Sequence, residues 1–227
     1  MPLTFCSTNV FSRNSKTLNN IIKIQITPLL LNWYSREKRY LPWRITRNPY
    51  AIWLSEIILQ QTRVKQGTPY YEKFIKTYPT VHNLAAASEQ EVLKLWEGLG
   101  YYSRARNLHK AARQVSKEYG GNFPNSYIEL LKLKGIGPYT AAAIASICFH
   151  EKVPAVDGNV FRLISRLFGI HKDISKASTR KIFEKTIEPT FSNVFGNGAH
   201  ANIVAGGDGI SHPILFIDSI KVFRLDL

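Results

Sequence analysis

The sequence predicts an all-α protein. Three observations carry that prediction. Apolar residues recur at helical spacing in one segment after another, from Leu29 to Ile187. Helix-start and helix-stop chemistry separates these segments, at Thr27-Pro28, at Ser88 to Glu91, at Gly120-Gly121 and at Gly137-Pro138. No convincing strand pattern precedes residue 190. The expected plan is roughly ten short helices without a strict internal repeat.

Composition narrows the partners. The chain has 227 residues, 44% of them hydrophobic, which is enough for one large domain or two small ones with a real core. Lys and Arg total 30 against 16 Asp and Glu, a net charge of +14. An excess this large points to a polyanion, with nucleic acid first and an anionic membrane surface as the rival. No run of 18 apolar residues is present, so no membrane span is expected. Cys6 and Cys148 have neither metal nor disulfide spacing, which fits a reducing cytosol.

Residues 1–26 read as a loose extension. They hold no acidic residue, the first being Glu37. A transit peptide is one reading, although Arg is sparse; a start codon placed too early is another. Thr27-Pro28 opens a helix carrying Leu29, Leu30, Leu31, Trp33 and Tyr34. Arg36 to Arg47 is a loop of interleaved Arg, Tyr and Trp, suited to phosphates and bases. A solvated loop with Trp43 anchored in the core is the alternative.

Tyr50 to about Val64 reads as a helix. Glu56 shares a face with Ile52, Trp53 and Leu59, at i−4, i−3 and i+3. A carboxyl group there loses solvation, which disfavours its ionised form and suits a general acid. A buried Glu in a structural hydrogen bond is the bland alternative. Tyr70 to Tyr78 is a further helix, and Ser88 to Glu91 is a capping box before Val92 and Trp96. Gly98-Leu99-Gly100 is a glycine turn that presents Tyr101 and Tyr102. It leads into a basic helix with Arg104, Arg106, Lys110, Arg113 and Lys117.

The stretch from Leu131 to Val160 reads LKLKGIGPYTAAAIASICFHEKVPAVDGNV. It describes a helix, a tight Gly135-Ile136-Gly137 turn and a second helix opened by Pro138. Such a turn exposes backbone N–H groups at a helix N-terminus, where anions are favoured. Asp157 precedes Gly158-Asn159-Val160-Phe161 and reads as an N-cap, or as a second carboxylate to pair with Glu56. Ser175 or Ser178 opens a last helix with Ile182, Phe183 and Ile187. From about Phe195 the composition changes: residues 195–227 hold five of the 14 glycines and two basic residues, Lys221 and Arg224.

Five blocks taken together carry a resemblance. They are LPW (41–43), SEIILQQT (55–62), EGLGYYSRARNLHKAA (97–112), LKGIGPYTAAAI (133–144) and PAVDGNVFRLISRL (154–167). They resemble the adenine DNA glycosylases of the MutY type, within the endonuclease III superfamily of helix-hairpin-helix enzymes. The resemblance covers about Leu30 to Pro189, with the blocks in the family's order. It implies a two-lobed fold with the DNA cleft between lobes, one lobe from 50–145 and the other from 27–49 plus 146–194.

The resemblance also implies a reaction, removal of adenine mispaired with 8-oxoguanine or guanine in double-stranded DNA. Glu56 would protonate the adenine and then handle the water. Asp157 would stabilise the sugar cation, with Asn159 beside it and Tyr139 near the sugar. Arg39, Trp43, Arg44 and Leu59 would shape the adenine pocket. Gln61 and Tyr101 would enter the duplex at the mismatch. Gly135 and Gly137 would hold a phosphate, with a monovalent cation at the hairpin. Tyr139 stands where bifunctional relatives carry a Schiff-base Lys, so a monofunctional enzyme is expected. The expected setting is the bacterial cytoplasm, at the nucleoid, and the expected state is a monomer.

The family normally continues into four cysteines that bind a [4Fe–4S] cluster. No cysteine follows Cys148, so this chain does not supply those thiolates. The expectation is a frameshift or truncation at about 190–195, or else a cluster-free member. An incomplete second lobe and lowered stability follow. Two rival functions remain, a DNA-binding remnant without catalysis and a bifunctional glycosylase/lyase.

Overall fold

A computed structural model describes residues 32, 35–174 and 176–195. Most of the expected helix from Thr27 and the tail beyond Phe195 lie outside the described residues. Among the described residues every regular element is helical. The chain divides into two compact units, one spanning Arg39–Ala155 and the other built on the segment from Val156.

The first unit opens with a short 3-10 helix, Pro42–Arg44. It continues with α1 (Pro49–Ile58), α2 (Val64–Thr77), α3 (Val81–Ala86) and α4 (Glu89–Trp96). Then come α5 (Ser103–Glu118), α6 (Tyr127–Leu130) and α7 (Pro138–Phe149). Helix α3 has a start signal that periodicity alone passes over: Thr80 accepts from the Asn83 N–H, and Asn83 returns the bond to Thr80. Ser88 and Glu91 close the expected capping box on α4.

Two boundaries differ from the sequence reading. α1 stops at Ile58 rather than near Val64, and α2 begins at Val64 rather than Tyr70. Gln61 takes the left-handed conformation, with φ 54°, which no helix can propagate. α2 runs through Pro69 although proline deletes a helical donor. Its buried Gly67, Tyr71 and Phe74 explain why: packing of one face outweighs the lost bond. The Thr68 hydroxyl also donates to the Val64 carbonyl, at 2.8 Å.

The core of this unit is aromatic. Trp53, Phe74 and Trp96 are fully buried. Phe74 meets Trp96 edge-on with ring centroids 5.9 Å apart, and Trp53 lies 5.2 Å from Phe123. Such pairs add roughly 0.5–1.5 kcal/mol beyond their burial. Helix α7 is buried at eight consecutive positions, Thr140 to Ile147. Its alanines let α1 and α6 pack closely against it.

The second unit contains α8 (Gly158–Phe168) and α9 (Ala177–Phe195). Val156, Val160, Phe161 and Ile164 pack against Phe183 and Ile187. Phe161 and Phe183 meet edge-on at 4.7 Å. Gly169 ends α8 in the left-handed conformation, and the last helix opens at Ala177, between the two serines expected to start it.

Candidate functional site

Glu56 stands out on α1. Asn48 caps this helix by accepting from the N–H groups of Tyr50 and Ala51, and Pro49 takes the first turn. From Tyr50 to Ile58 every residue except Glu56 is buried. Its helical neighbours Ile52 and Trp53 are buried and Leu59 is half-buried, as the spacing predicts. The carboxyl group is therefore the half-open point on an otherwise closed helix. A carboxyl group with apolar neighbours can carry and deliver a proton.

The hairpin joins α6 to α7. Gly135 has φ 76°, and a Cβ there would lie 2.6 Å from Asn107 Cβ. Glycine is therefore required twice over, by conformation and by the approach of α5. Gly137 is the N-cap of α7, Pro138 follows it, and half-buried Tyr139 sits in the helix's first turn. Ile136, only 5% exposed, pins the turn to the core. The Lys134 N–H donates to Gln114 Oε1, at 3.3 Å, from α5. The hairpin leaves the N–H end of a twelve-residue helix open, which suits a phosphate.

In the second unit Asp157 is both an N-cap and a fixed carboxylate. Its Oδ1 accepts from the N–H groups of Asn159, at 3.0 Å, and Val160, at 2.8 Å. Its Oδ2 accepts from the Asn159 side-chain amide, at 3.0 Å. Arg162 donates in turn to Asn159 Oδ1. Asp157 is thus the N-cap that one sequence reading expects, and the bonds that cap α8 also hold its carboxylate. A negative charge at a helix N-terminus is favoured, and this one is held in a single orientation.

The remaining predicted residues belong to the first unit. Trp43 is buried, and its ring and that of Tyr71 meet in a T-shaped pair with centroids 5.2 Å apart. Arg44 is also buried, and its Nη1 donates to the Arg39 carbonyl at 2.9 Å, while the Arg39 side chain is exposed. Gln61 and Tyr101 are both exposed, and both are non-glycine residues at positive φ, 54° and 47°. That conformation costs roughly 1 kcal/mol or more for each. Exposed Arg106, Lys110, Arg113 and Lys117 line α5.

Arg104 departs from the sequence reading, which placed it on that basic face. It turns inward instead. Its Nη1 donates among the carbonyls of Ile57 (3.2 Å), Ile58 (3.1 Å) and Gln60, beyond the end of α1. Its Nη2 reaches the carbonyls of Leu99 (3.2 Å) and Gly100 (3.4 Å) in the glycine turn. The guanidinium lies 5.1 Å from the Trp96 ring centroid and 5.7 Å from that of Tyr101. Burial pushes its acidity up, against the neighbouring Tyr101. The helix C-terminus at Ile58 announces carbonyls in need of donors, but nothing local in the sequence names the donor.

The chain's residues do not fit a four-thiolate cluster. It has two cysteines. Burial pushes the thiol of Cys148 up to about 12, the opposite of what a thiolate ligand needs. Among the described residues no helix is long and apolar enough to cross a membrane.

Two helices joined through a glycine turn that presents the second helix's N–H groups define a helix-hairpin-helix protein. The chain belongs to the HhH-GPD superfamily of base excision DNA repair proteins, whose family model matches residues 54–189. It is 46% identical over 160 residues to an adenine DNA glycosylase of Buchnera aphidicola, covering 70% of this chain and 45% of that protein. It is 47% identical over 155 residues to the adenine DNA glycosylase of Homo sapiens, covering 64% of this chain and 28% of that one. The chain thus spans less than half the length of these relatives. Among solved structures it resembles a thermostable thymine-DNA glycosylase, with TM-score 0.66 and 26% identity over 81% of this chain and 88% of that one. It also resembles a trapped endonuclease III–DNA covalent intermediate, with TM-score 0.59 and 25% identity over 73% and 76%.

Proposed function

We propose that the chain is an adenine-specific DNA glycosylase acting on adenine opposite 8-oxoguanine or guanine in duplex DNA. The observation that carries this reading is its near-half identity to adenine DNA glycosylases. The family match, residues 54–189, contains Glu56, Tyr139 and Asp157. The contrast between the two carboxyl groups supports it. One sits among apolar neighbours on α1, the other is fixed by three donors at the start of α8. An acid and an anion held in unlike surroundings are what cleavage of a glycosidic bond requires.

In this mechanism the adenine leaves the stack to be reached. Protonated Glu56 gives its proton to a ring nitrogen of the adenine. The C–N bond breaks, its electron pair leaves with the base, and the sugar becomes a cation. Asp157 stabilises that cation. Glu56, now a carboxylate, takes a proton from water as the water's oxygen bonds to the sugar carbon. The products are adenine and an abasic site. Tyr139 cannot form a Schiff base, so base removal is not coupled to strand cleavage. Arg39, Trp43, Arg44 and Leu59 shape the adenine pocket, and the Gly135 to Gly137 hairpin would hold a phosphate, where a monovalent cation would add positive charge.

Single-turnover release of adenine from a duplex with adenine opposite 8-oxoguanine tests the reading. Wild type should release adenine, and Glu56→Gln should bind the duplex without release. If both bind and neither releases adenine, the chain is a DNA-binding module only. Borohydride trapping of a protein–DNA adduct would instead show a bifunctional enzyme.

A further inference from the structure

We infer that Arg104 is a positioning residue that sets Gln61 and Tyr101 in register as a pair of DNA probes. The inference rests on the proposed reading, in which both residues enter the duplex at the mismatch. Its basis is the connectivity of one guanidinium. The carbonyl of Gln60, which accepts from Arg104 Nη1, belongs to the peptide that leads into Gln61. The carbonyl of Gly100, which accepts from Nη2, belongs to the peptide that leads into Tyr101. Each of these two residues is then in the left-handed conformation and exposed. One planar group thus fixes the orientation of the peptide immediately before each probe.

The surroundings confine that group further. Trp96 Nε1 donates to the same Gly100 carbonyl, at 3.0 Å, and the Trp96 ring lies against the guanidinium. The Tyr70 hydroxyl donates to the Glu97 carbonyl, at 2.7 Å, closing the start of the turn. The guanidinium also lies over the Tyr101 ring, 5.7 Å from its centroid, so the same group contacts that side chain as well as the peptide before it. Lysine cannot substitute. Its ammonium is a point donor and cannot span carbonyls on two separate segments in one plane. Left-handed conformations at non-glycine residues persist only where surrounding contacts hold them, and here one residue supplies those contacts to both.

The test compares Kd for two duplexes, one with non-hydrolysable 2′-fluoro-deoxyadenosine opposite 8-oxoguanine and one with it opposite thymine. Fluorescence anisotropy on the full chain reads the ratio. Arg104→Lys should lose about tenfold or more of the mismatch preference, with nearly unchanged affinity for the matched duplex. Adding Gln61→Ala and Tyr101→Ala to that variant should cost little further preference. Wild-type preference in a folded Arg104→Lys variant would overturn the inference. If Arg104→Lys does not fold, the wild-type background decides: Gln61→Ala and Tyr101→Ala must be non-additive in mismatch preference, and additivity overturns the inference. A wild-type chain without any mismatch preference would instead overturn the functional reading, and this inference with it.

Discussion

Asp157 and Asn159 are bonded to each other twice. The backbone N–H of Asn159 donates to Oδ1 and its side-chain amide donates to Oδ2, each at 3.0 Å. The first bond is ordinary helix capping from a backbone N–H, and it survives any substitution at position 159 other than proline. The second depends on the amide.

Asn159→Ala should therefore leave α8 intact while freeing Oδ2 and releasing the Arg162 guanidinium from its bond to Asn159. One hydrogen bond to a charged group is worth about 1.5–3 kcal/mol. If Asp157 stabilises the sugar cation, single-turnover adenine release should fall about tenfold to a hundredfold, with Kd for the mismatched duplex nearly unchanged. Asn159→Asp places a second carboxylate beside the first and should fall further. An unchanged rate in Asn159→Ala would show that capping alone orients Asp157.

Gly135→Ala should destabilise the first unit by about 1–2 kcal/mol from its conformation alone. The added Cβ also meets Asn107 Cβ at 2.6 Å, so α5 or the hairpin must shift. Because the obstruction is Asn107's own Cβ, Asn107→Ala should not rescue the variant. DNA affinity should drop with the hairpin's distortion. A double variant restored in both melting temperature and affinity would mean the hairpin relaxes without cost.

Phe183 anchors the second unit. It is fully buried and meets Phe161 edge-on at 4.7 Å. Phe183→Ala should cost about 3–5 kcal/mol. In a unit with so small a described core, that is enough to unfold it. Circular dichroism and limited proteolysis should show loss of α8 and α9 while Arg39–Ala155 stays protected. Loss of both units at one midpoint would show that they fold together.

Tyr71 gives a pH-dependent test. Burial pushes its hydroxyl up to about 12, while in an unfolded chain it ionises near its usual value of about 10. Between those values the unfolded state releases the proton and the folded state keeps it. Stability is thus unaffected below about pH 10 and falls as pH rises toward 12. Tyr50 is raised in the same way and its hydroxyl donates to the Tyr78 carbonyl at 2.7 Å. Urea unfolding of Tyr71→Phe should show a shallower loss between pH 10 and 11.5 than wild type. Equal slopes would place the alkaline loss elsewhere.

What the sequence made legible was chemistry set by neighbours in the chain. The Ser88 to Glu91 box, the Asp157 cap, the glycine hairpin and Pro138 all act over a few residues, and all were readable as written. Glu56 was readable too, because helical spacing alone puts it beside Ile52, Trp53 and Leu59. Arg104 was not. Its partners at Ile57, Ile58 and Gln60 are more than forty residues earlier, and its place in a run of basic residues suggested solvent. The start of α2 was missed for a related reason. Pro69 deletes a helical donor locally, while the buried Tyr71 and Phe74 hold the helix through it.

Helix α7 has a consequence for exchange of its backbone amides. Eight consecutive residues are buried, from Thr140 to Ile147, so no side of its middle is open to solvent. Those amides can meet deuterium only when the whole first unit opens, and they should be the slowest to label. The hairpin leads directly into the N-terminus of that buried helix. A duplex that docks there meets N–H groups already fixed in place, and little ordering entropy has to be given up on contact.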